Sequence, residues 1–276
     1  MRGFAITVAC GLASTLFACG FEVTGAPTTD GPIDTQPPPP DIPEPPATRV
    51  SDGLVGLWTF DDAAGSRLLA DTSGATPPIP LEVVVGGSIA EPMLVNGNLV
   101  ATTPGRIHSA LNTRLPREPA MAGAVTLEMW VQPNAAVQGT SLEPSFVGGL
   151  AANVASRNIA FLQAGGTWIG LVRTTAAIDG TPALRSSTLA STTKMTHLVL
   201  VASPTQRVLY VDNTIEDTGI AGGPLAWDLS YPMALIDEFQ HARQWTGSLA
   251  LVALYRRALT PDEVRQNFAA GHSPGT

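Results

Sequence analysis

Carboxylates, imidazoles and hydroxyls are the groups of this chain that could do chemistry, and their spacing is the first test. Cleavage of a glycosidic bond with retention needs two carboxylates about 5 Å apart. On a strand that means acids two positions apart on one face. No Glu-x-Asp-x-Glu run occurs. Glu128 stands alone in its apolar stretch, while Asp61-Asp62 and Asp237-Glu238 are adjacent pairs whose side chains diverge on extended backbone. Glu216-Asp217 falls in a loop-like stretch. His108, His197, His241 and His272 show no metal-ligand spacing, and His197, opening an apolar run, reads as structural. No serine sits in the strand-to-helix context of a nucleophile elbow; the Gly-x-Ser-x-Gly pattern at Gly271–Gly275 follows the C-terminal helix signal instead of a strand. Neither Gly86-Gly87 nor Gly222-Gly223 has the strand–loop–helix setting of a phosphate loop. These residues assign no catalytic group, no metal and no cofactor.

Recognition asks for less. A sugar-binding surface needs an exposed aromatic ring beside polar groups, and the chain has five tryptophans. Trp130, on the polar side of an alternating run, and Trp227 and Trp245, in less regular stretches, are the candidate ligand-binding residues. Packing is the competing role, and for Trp130 the preferred one.

Composition narrows the partners. Of 276 residues only 14% are charged, with 15 Lys+Arg against 23 Asp+Glu and a net charge of −8. A single lysine, Lys194, and scattered arginines leave no electrostatic footprint for nucleic acid and no polybasic patch for anionic lipid. Both cysteines, Cys10 and Cys19, fall within the first 20 residues, which excludes a disulfide framework or a cysteine-ligated zinc in the body of the chain.

The elements that must position any site follow from periodicity. Short apolar or alternating runs recur between Gly, Pro, Asn and Asp: Leu54–Phe60, Leu81–Val85, Val125–Val131, Ile159–Leu162, Trp168–Arg173, His197–Val201, Val208–Val211 and Leu249–Tyr255. Their spacing and β-branched content predict an all-β sandwich. In AVTLEMWVQ, Val125, Leu127, Met129 and Val131 share one face, and Thr126, Glu128, Trp130 and Gln132 the other. Only one helix is well signalled. Thr260 is its N-cap, Pro261 its first residue, Glu263 completes a capping box and Leu259 with Val264 forms a staple; Gly271 is the stop. The apolar run Gly247–Tyr255 is too short to span a bilayer and reads as a closing strand before that helix.

The N-terminus reads as an address. Arg2 precedes an apolar stretch from Phe4 to Ala18, the length of a signal-peptide core. It ends in Leu16-Phe17-Ala18-Cys19-Gly20, which resembles a bacterial lipobox and implies cleavage before a lipidated Cys19. An ordinary signal peptide is the alternative. From Gly20 to Val50 nine residues are proline, which favours an extended spacer over helix or sheet. The organisation expected is a signal peptide over 1–18, a lipidated cysteine and acidic Pro-rich linker over 19–52, and one domain over 53–272.

Four stretches of that domain carry a family resemblance: GLVGLWTFDDAAGSRLLAD (Gly53–Asp71), AVTLEMWVQP (Ala124–Pro133), THLVLVASPTQRVLYVDN (Thr196–Asn213) and WTGSLALVALYRRALTPDEVRQNFAAG (Trp245–Gly271). In order and spacing they resemble the laminin G-like, concanavalin A-like lectin/glucanase domain of bacterial surface proteins. The resemblance implies a two-sheet antiparallel jelly-roll sandwich with one short C-terminal helix, in which the first strand, Leu54–Phe60, lies beside the last, Leu249–Tyr255. Family members carry a histidine at the place of His197 without catalysis, and a tryptophan at that of Trp130 across different ligands. The closing strand of relatives often reads Gly-x-Ile-Asp-Glu-Val, its aspartate a calcium ligand; here Ala250 and Leu251 replace the two acids. Asp61, Asp62 and Asp71 remain as candidate ligands for a structural Ca²⁺, although they read first as solvated turn acids.

Together these features point to a non-catalytic, surface-anchored recognition or adhesion module with a carbohydrate or protein ligand. It would sit in a bacterial cell envelope, at the outer membrane or cell surface, through the lipid on Cys19. The competing readings are a structural envelope lipoprotein that packs against envelope proteins and a divergent glycoside hydrolase.

Overall fold

From Leu54 onward the regular structure is mainly strand. The computed structural model describes residues 47–84, 92–102, 105–240 and 243–272; the signal peptide, Cys19, most of the spacer, Gly86-Gly87 and His241 lie outside them. The strands are β1 (Leu54–Trp58), β2 (Leu68–Leu69), β3 (Leu81–Val83), β4 (Met93–Val95), β5 (Asn98–Ala101), β6 (Ile107–His108), β7 (Val125–Pro133) and β8 (Ser145–Asn153). They continue with β9 (Ser156–Ala164), β10 (Thr167–Val172), β11 (Leu184–Leu189), β12 (Thr196–Ala202), β13 (Gln206–Val211), β14 (Thr214–Ile220), β15 (Met233–Leu235) and β16 (Gly247–Tyr255). Two helices, α1 (Arg114–Ala122) and α2 (Pro261–Ala270), complete the set.

The strands form two antiparallel eight-stranded sheets. The first runs β14-β13-β12-β7-β16-β5-β4, with β1 also paired to β16; the second runs β11-β10-β9-β8-β15-β6-β3-β2. First and last strands are neighbours as expected, with Leu57 opposite Ala253 and Trp58 opposite Val252. Both faces of β16 are covered. Leu249, Val252 and Leu254 enter the core between the sheets, and Ala250, Leu251, Ala253 and Tyr255 enter a second apolar layer under α2. Among the described residues no helix is long and apolar enough to cross a membrane.

The intersheet core is closely interdigitated, and two glycines make room for it. A Cβ on Gly148 would stand 2.6 Å from Met129 Cε, and one on Gly170 2.9 Å from Leu200 Cδ1. Gly148-Gly149 lies within β8, a strand that its glycines and alanines had hidden from the periodicity analysis. Glu216 and Asp217 likewise sit on edge strand β14 rather than in a loop.

Helix α1 is an addition to the expected architecture. Pro116 falls in the first turn, where an N–H has no intrahelical partner in any case, while Pro119 lies inside the helix. Thr113 caps the N-terminus and Gly123, at φ 71°, ends the helix. Tertiary contacts hold it: Leu115 is fully buried, and Arg114 donates to Asp71 Oδ2 at 2.8 Å and Val55 O at 3.0 Å. Helix α2 forms as the sequence predicts. Thr260 N donates to Glu263 Oε2 at 2.8 Å and Glu263 N to Thr260 Oγ1 at 3.3 Å.

The interdigitation gives a direct test. Gly170→Val would drive a branched side chain into Leu200 and should cost about 1–3 kcal/mol by overpacking. Urea unfolding of the variant checks this, with an unchanged midpoint as the contrary result.

Candidate functional site

The three candidate tryptophans are interior. Trp130 is 7% exposed, Trp227 9% and Trp245 0%, so none offers an open ring face for a ligand to stack on. The physical reason is that a large ring gains most by burial. Trp245 Nε1 donates to Gln163 Oε1 at 2.7 Å and Trp227 Nε1 to Arg173 O at 3.1 Å, both within the intersheet core. Trp130 lies on the side of β7 that alternation marks as polar. That side is covered by α2, and the ring stacks between His197, with centroids 4.7 Å apart, and Phe268, at 5.7 Å.

Beneath the same cover lies Glu128, fully buried. Arg49 pairs with Oε1, and the His197 ring nitrogen Nε2 lies 2.9 Å from the same oxygen. Asn267 Nδ2 donates to Oε2 at 2.7 Å. Tyr255 is drawn in as well: its hydroxyl donates to Val50 O at 3.1 Å and accepts from Asn267 Nδ2 at 3.0 Å. Arg49 also bonds Gly271 O past the end of α2. Burial alone would raise the Glu128 pKa. The His197 hydrogen bond and the Arg49 charge outweigh it and hold the group down at about 2. Glu128 and His197 therefore form a structural clasp. Its residue from the N-terminal segment, Arg49, belongs by composition to the spacer.

The remaining acids are also engaged. Asp71 is buried rather than solvated. Its Oδ1 accepts from Leu57 N at 3.2 Å and Ser73 N at 3.0 Å, and its Oδ2 from Ile79 N at 2.9 Å and from Arg114. Asp62 accepts from Ala70 N at 3.0 Å, and Asp61 from Thr59 Oγ1 at 2.7 Å. Asp237 and Glu238 occupy a buried turn after Ile236, whose φ of 62° is strained for a β-branched residue. Arg157 Nε donates to Glu238 Oε1 at 3.0 Å. Burial raises the Glu238 pKa, and Arg157 opposes it. No group of three or more His, Cys, Asp or Glu side chains that could hold a metal ion occurs among the described residues. Ala250 and Leu251 lie under α2, 0% and 2% exposed, where carboxylates would themselves be buried.

An open concavity lies elsewhere, where edge strands β11 and β14 bring the two sheets together. Glu216 reaches across from β14 and accepts from Ser187 N at 2.8 Å and Thr188 N at 3.1 Å. Burial would raise its pKa, but the hydroxyl and amide donors of Ser187 and Thr188 bring it down to about 2. Asp217 Oδ2 accepts from Arg185 N at 2.9 Å. Beside this seam is a groove of about 480 Å³, walled by Ala176, Thr181, Leu184, Thr218 and Ile220, with Arg207 among its lining residues. The wall is tied down, because Thr174 Oγ1 donates to Gly222 O at 3.0 Å and Ala176 N to the same oxygen at 3.0 Å. Sequence reasoning missed this place because its groove residues come from separate strands and loops that only the fold brings together.

The clasp predicts acid sensitivity. Glu128 has a folded pKa below the ordinary glutamate value near 4.3, so its contribution is complete above about pH 5 and is lost as pH falls toward 2. The compact unit Pro45–Thr276 should therefore lose Tm over that interval more steeply than its Glu128→Gln variant; parallel curves would contradict the assignment. Arg49→Ala leaves a buried carboxylate short of its cation and should cost about 3 kcal/mol in denaturant unfolding at pH 7.

Comparison with known proteins places the fold. A family described as the concanavalin A-like lectin/glucanases superfamily, Laminin_G_3, matches residues 108–265, more than half of the chain. No curated protein matches the sequence. Among solved structures, the receptor binding domain of botulinum neurotoxin C/D mosaic serotype aligns with a TM-score of 0.59 at 10% identity, over 80% of this chain and 52% of that one. The binding domain of botulinum neurotoxin DC in complex with rat synaptotagmin II aligns with a TM-score of 0.57 at 10% identity, over 79% of this chain and 51% of that one. Trypanosoma rangeli sialidase in complex with sialic acid aligns with a TM-score of 0.53 at 18% identity, over 81% and 34%. The chain thus spans about half the length of the toxin domains and a third of the sialidase. With its paired first and last strands, its two antiparallel sheets and a family match over most of the sandwich, the chain belongs to the laminin G-like branch of the concanavalin A-like lectin/glucanase superfamily.

Proposed function

We propose that this chain is a non-catalytic recognition module that binds a carbohydrate or protein ligand in the groove at the β11/β14 seam. A lipid on Cys19 would hold it at the bacterial cell surface or outer membrane. The observation that carries the reading is the contrast between the acids and the groove. Glu128, Asp71 and Glu216 each spend their oxygens on arginines, amides or hydroxyls of the fold, which suits architecture better than proton transfer. The groove, by contrast, is open, apolar on its walls and polar at a few points, the usual make-up of a ligand site. Fold alone does not decide between lectin and hydrolase, since function lives in sites grafted onto folds. Relatives of the same fold include a domain bound to rat synaptotagmin II, a recognition role compatible with this one.

Two experiments test the reading. The unit Pro45–Thr276, applied to a glycan array and used as bait on envelope fractions, should retain a discrete ligand. Retention of nothing in either format would sink the recognition role. Full-length chain expressed in bacteria with radioactive palmitate should take up label, and Cys19→Ala should not; equal labelling of the two would remove the anchor.

A further inference from the structure

Arg207 is a buried cation that has no counterion among the described residues. It is 2% exposed and lines the β11/β14 groove. Its Nε donates to Ile220 O at 3.1 Å and its Nη1 to Gly180 O at 3.2 Å. Nη2 makes no hydrogen bond among the described residues, and no carboxylate there comes within salt-bridge reach of the guanidinium. Nη2 lies next to Gly219, a groove-lining residue on whose Cα a methyl group would stand 3.6 Å from it. Asp217 is near enough to be felt as a charge, yet its oxygens are taken by Arg185 N at 2.9 Å and Thr218 N at 2.8 Å.

This arrangement is costly as it stands. A guanidinium taken out of water without an ion pair loses several kcal/mol of hydration. Burial correspondingly lowers the Arg207 pKa, with Asp217 opposing. Three other inward-reaching arginines are treated differently: Arg49 has Glu128, Arg114 has Asp71 and Arg157 has Glu238. At Arg207 two donors are fixed by backbone carbonyls, which orients the planar fork and leaves one donor edge toward the groove. A guanidinium fixed with one donor edge toward a groove is a carboxylate receptor. Around it, the hydroxyls of Thr181 and Thr218 and the apolar surfaces of Leu184 and Ile220 suit a pyranose ring, which has hydroxyls at its rim and C–H groups on its face. The volume, about 480 Å³, is at the small-ligand end of pocket sizes.

We infer that the groove over Arg207 binds a carboxylated sugar, the carboxylate pairing with the free Nη2 edge of Arg207. The inference rests on the recognition reading above and narrows its ligand to acidic saccharides. Isothermal titration of the full chain with oligogalacturonate, and with the same oligosaccharide methyl-esterified, separates charge from ring shape. Binding of the acid at least about tenfold tighter than the ester, a gap that Arg207→Gln abolishes, is the result expected. Equal affinity for acid and ester, an unchanged gap in folded Arg207→Gln, or no binding of either up to about 1 mM would overturn it. Should Arg207→Gln fail to fold, the acid–ester comparison on the unaltered chain decides alone. A tetraglutamate peptide forms the last arm: binding as tight as that of the oligosaccharide would mark a general carboxylate site and overturn the sugar assignment. Array hits on neutral glycans that are insensitive to Arg207→Gln would leave the recognition role standing and remove this inference only.

Discussion

A carboxylate sealed from water fixes the outer face of the first sheet. Glu128 sits mid-strand on β7, fully buried, and a charge survives there only when its oxygens are paired and hydrogen-bonded. The partners come from the N-terminal segment (Arg49), from β12 (His197) and from α2 (Asn267). Each can reach the carboxylate in one arrangement of the chain only. Apolar burial of Trp130, Leu251, Val264 and their neighbours supplies the drive to cover this face. That drive is non-directional; the carboxylate supplies the direction and sets where α2 and the incoming chain come to rest.

Arg207, on β13 two strands from β7 in the same sheet, is the counterpart. It is buried to a similar degree, yet its bonds go to carbonyls rather than to an acid. The fold treats the two charges in opposite ways. One is fully satisfied from within and closes the fold. The other is held in place by the fold and left electrically incomplete beside a groove.

The two sheets can place such a site because their edges converge. Glu216 and Asp217 staple β14 to backbone amides of β11. The seam then holds together without a disulfide, in a chain that has no cysteine beyond Cys19. The loop after β10 is pinned in turn to the segment around Gly222. A groove with pinned walls loses little freedom on binding, which is where preorganisation raises affinity.

Local pattern was enough to determine much of this protein. Alternation in Val125–Val131, the apolar closing run and the Thr260–Glu263 capping box are short-range signals, and each yielded its element, because strand period and helix capping are local physics. Small residues hid β8, where Gly148 is needed to admit Met129 from the other sheet. The prolines hid α1, which Arg114 and Leu115 hold by contacts with Asp71 and the core. Which face of a strand meets water is also not a local property. Trp130 and Glu128 read as polar-side residues until α2 covered them, because burial depends on what the rest of the chain lays on top. The groove at Arg207 is the extreme case. Its walls come from β14 and from the loop after β10, which only the fold brings together, and among the described residues no carboxylate lies within ion-pair reach of Arg207.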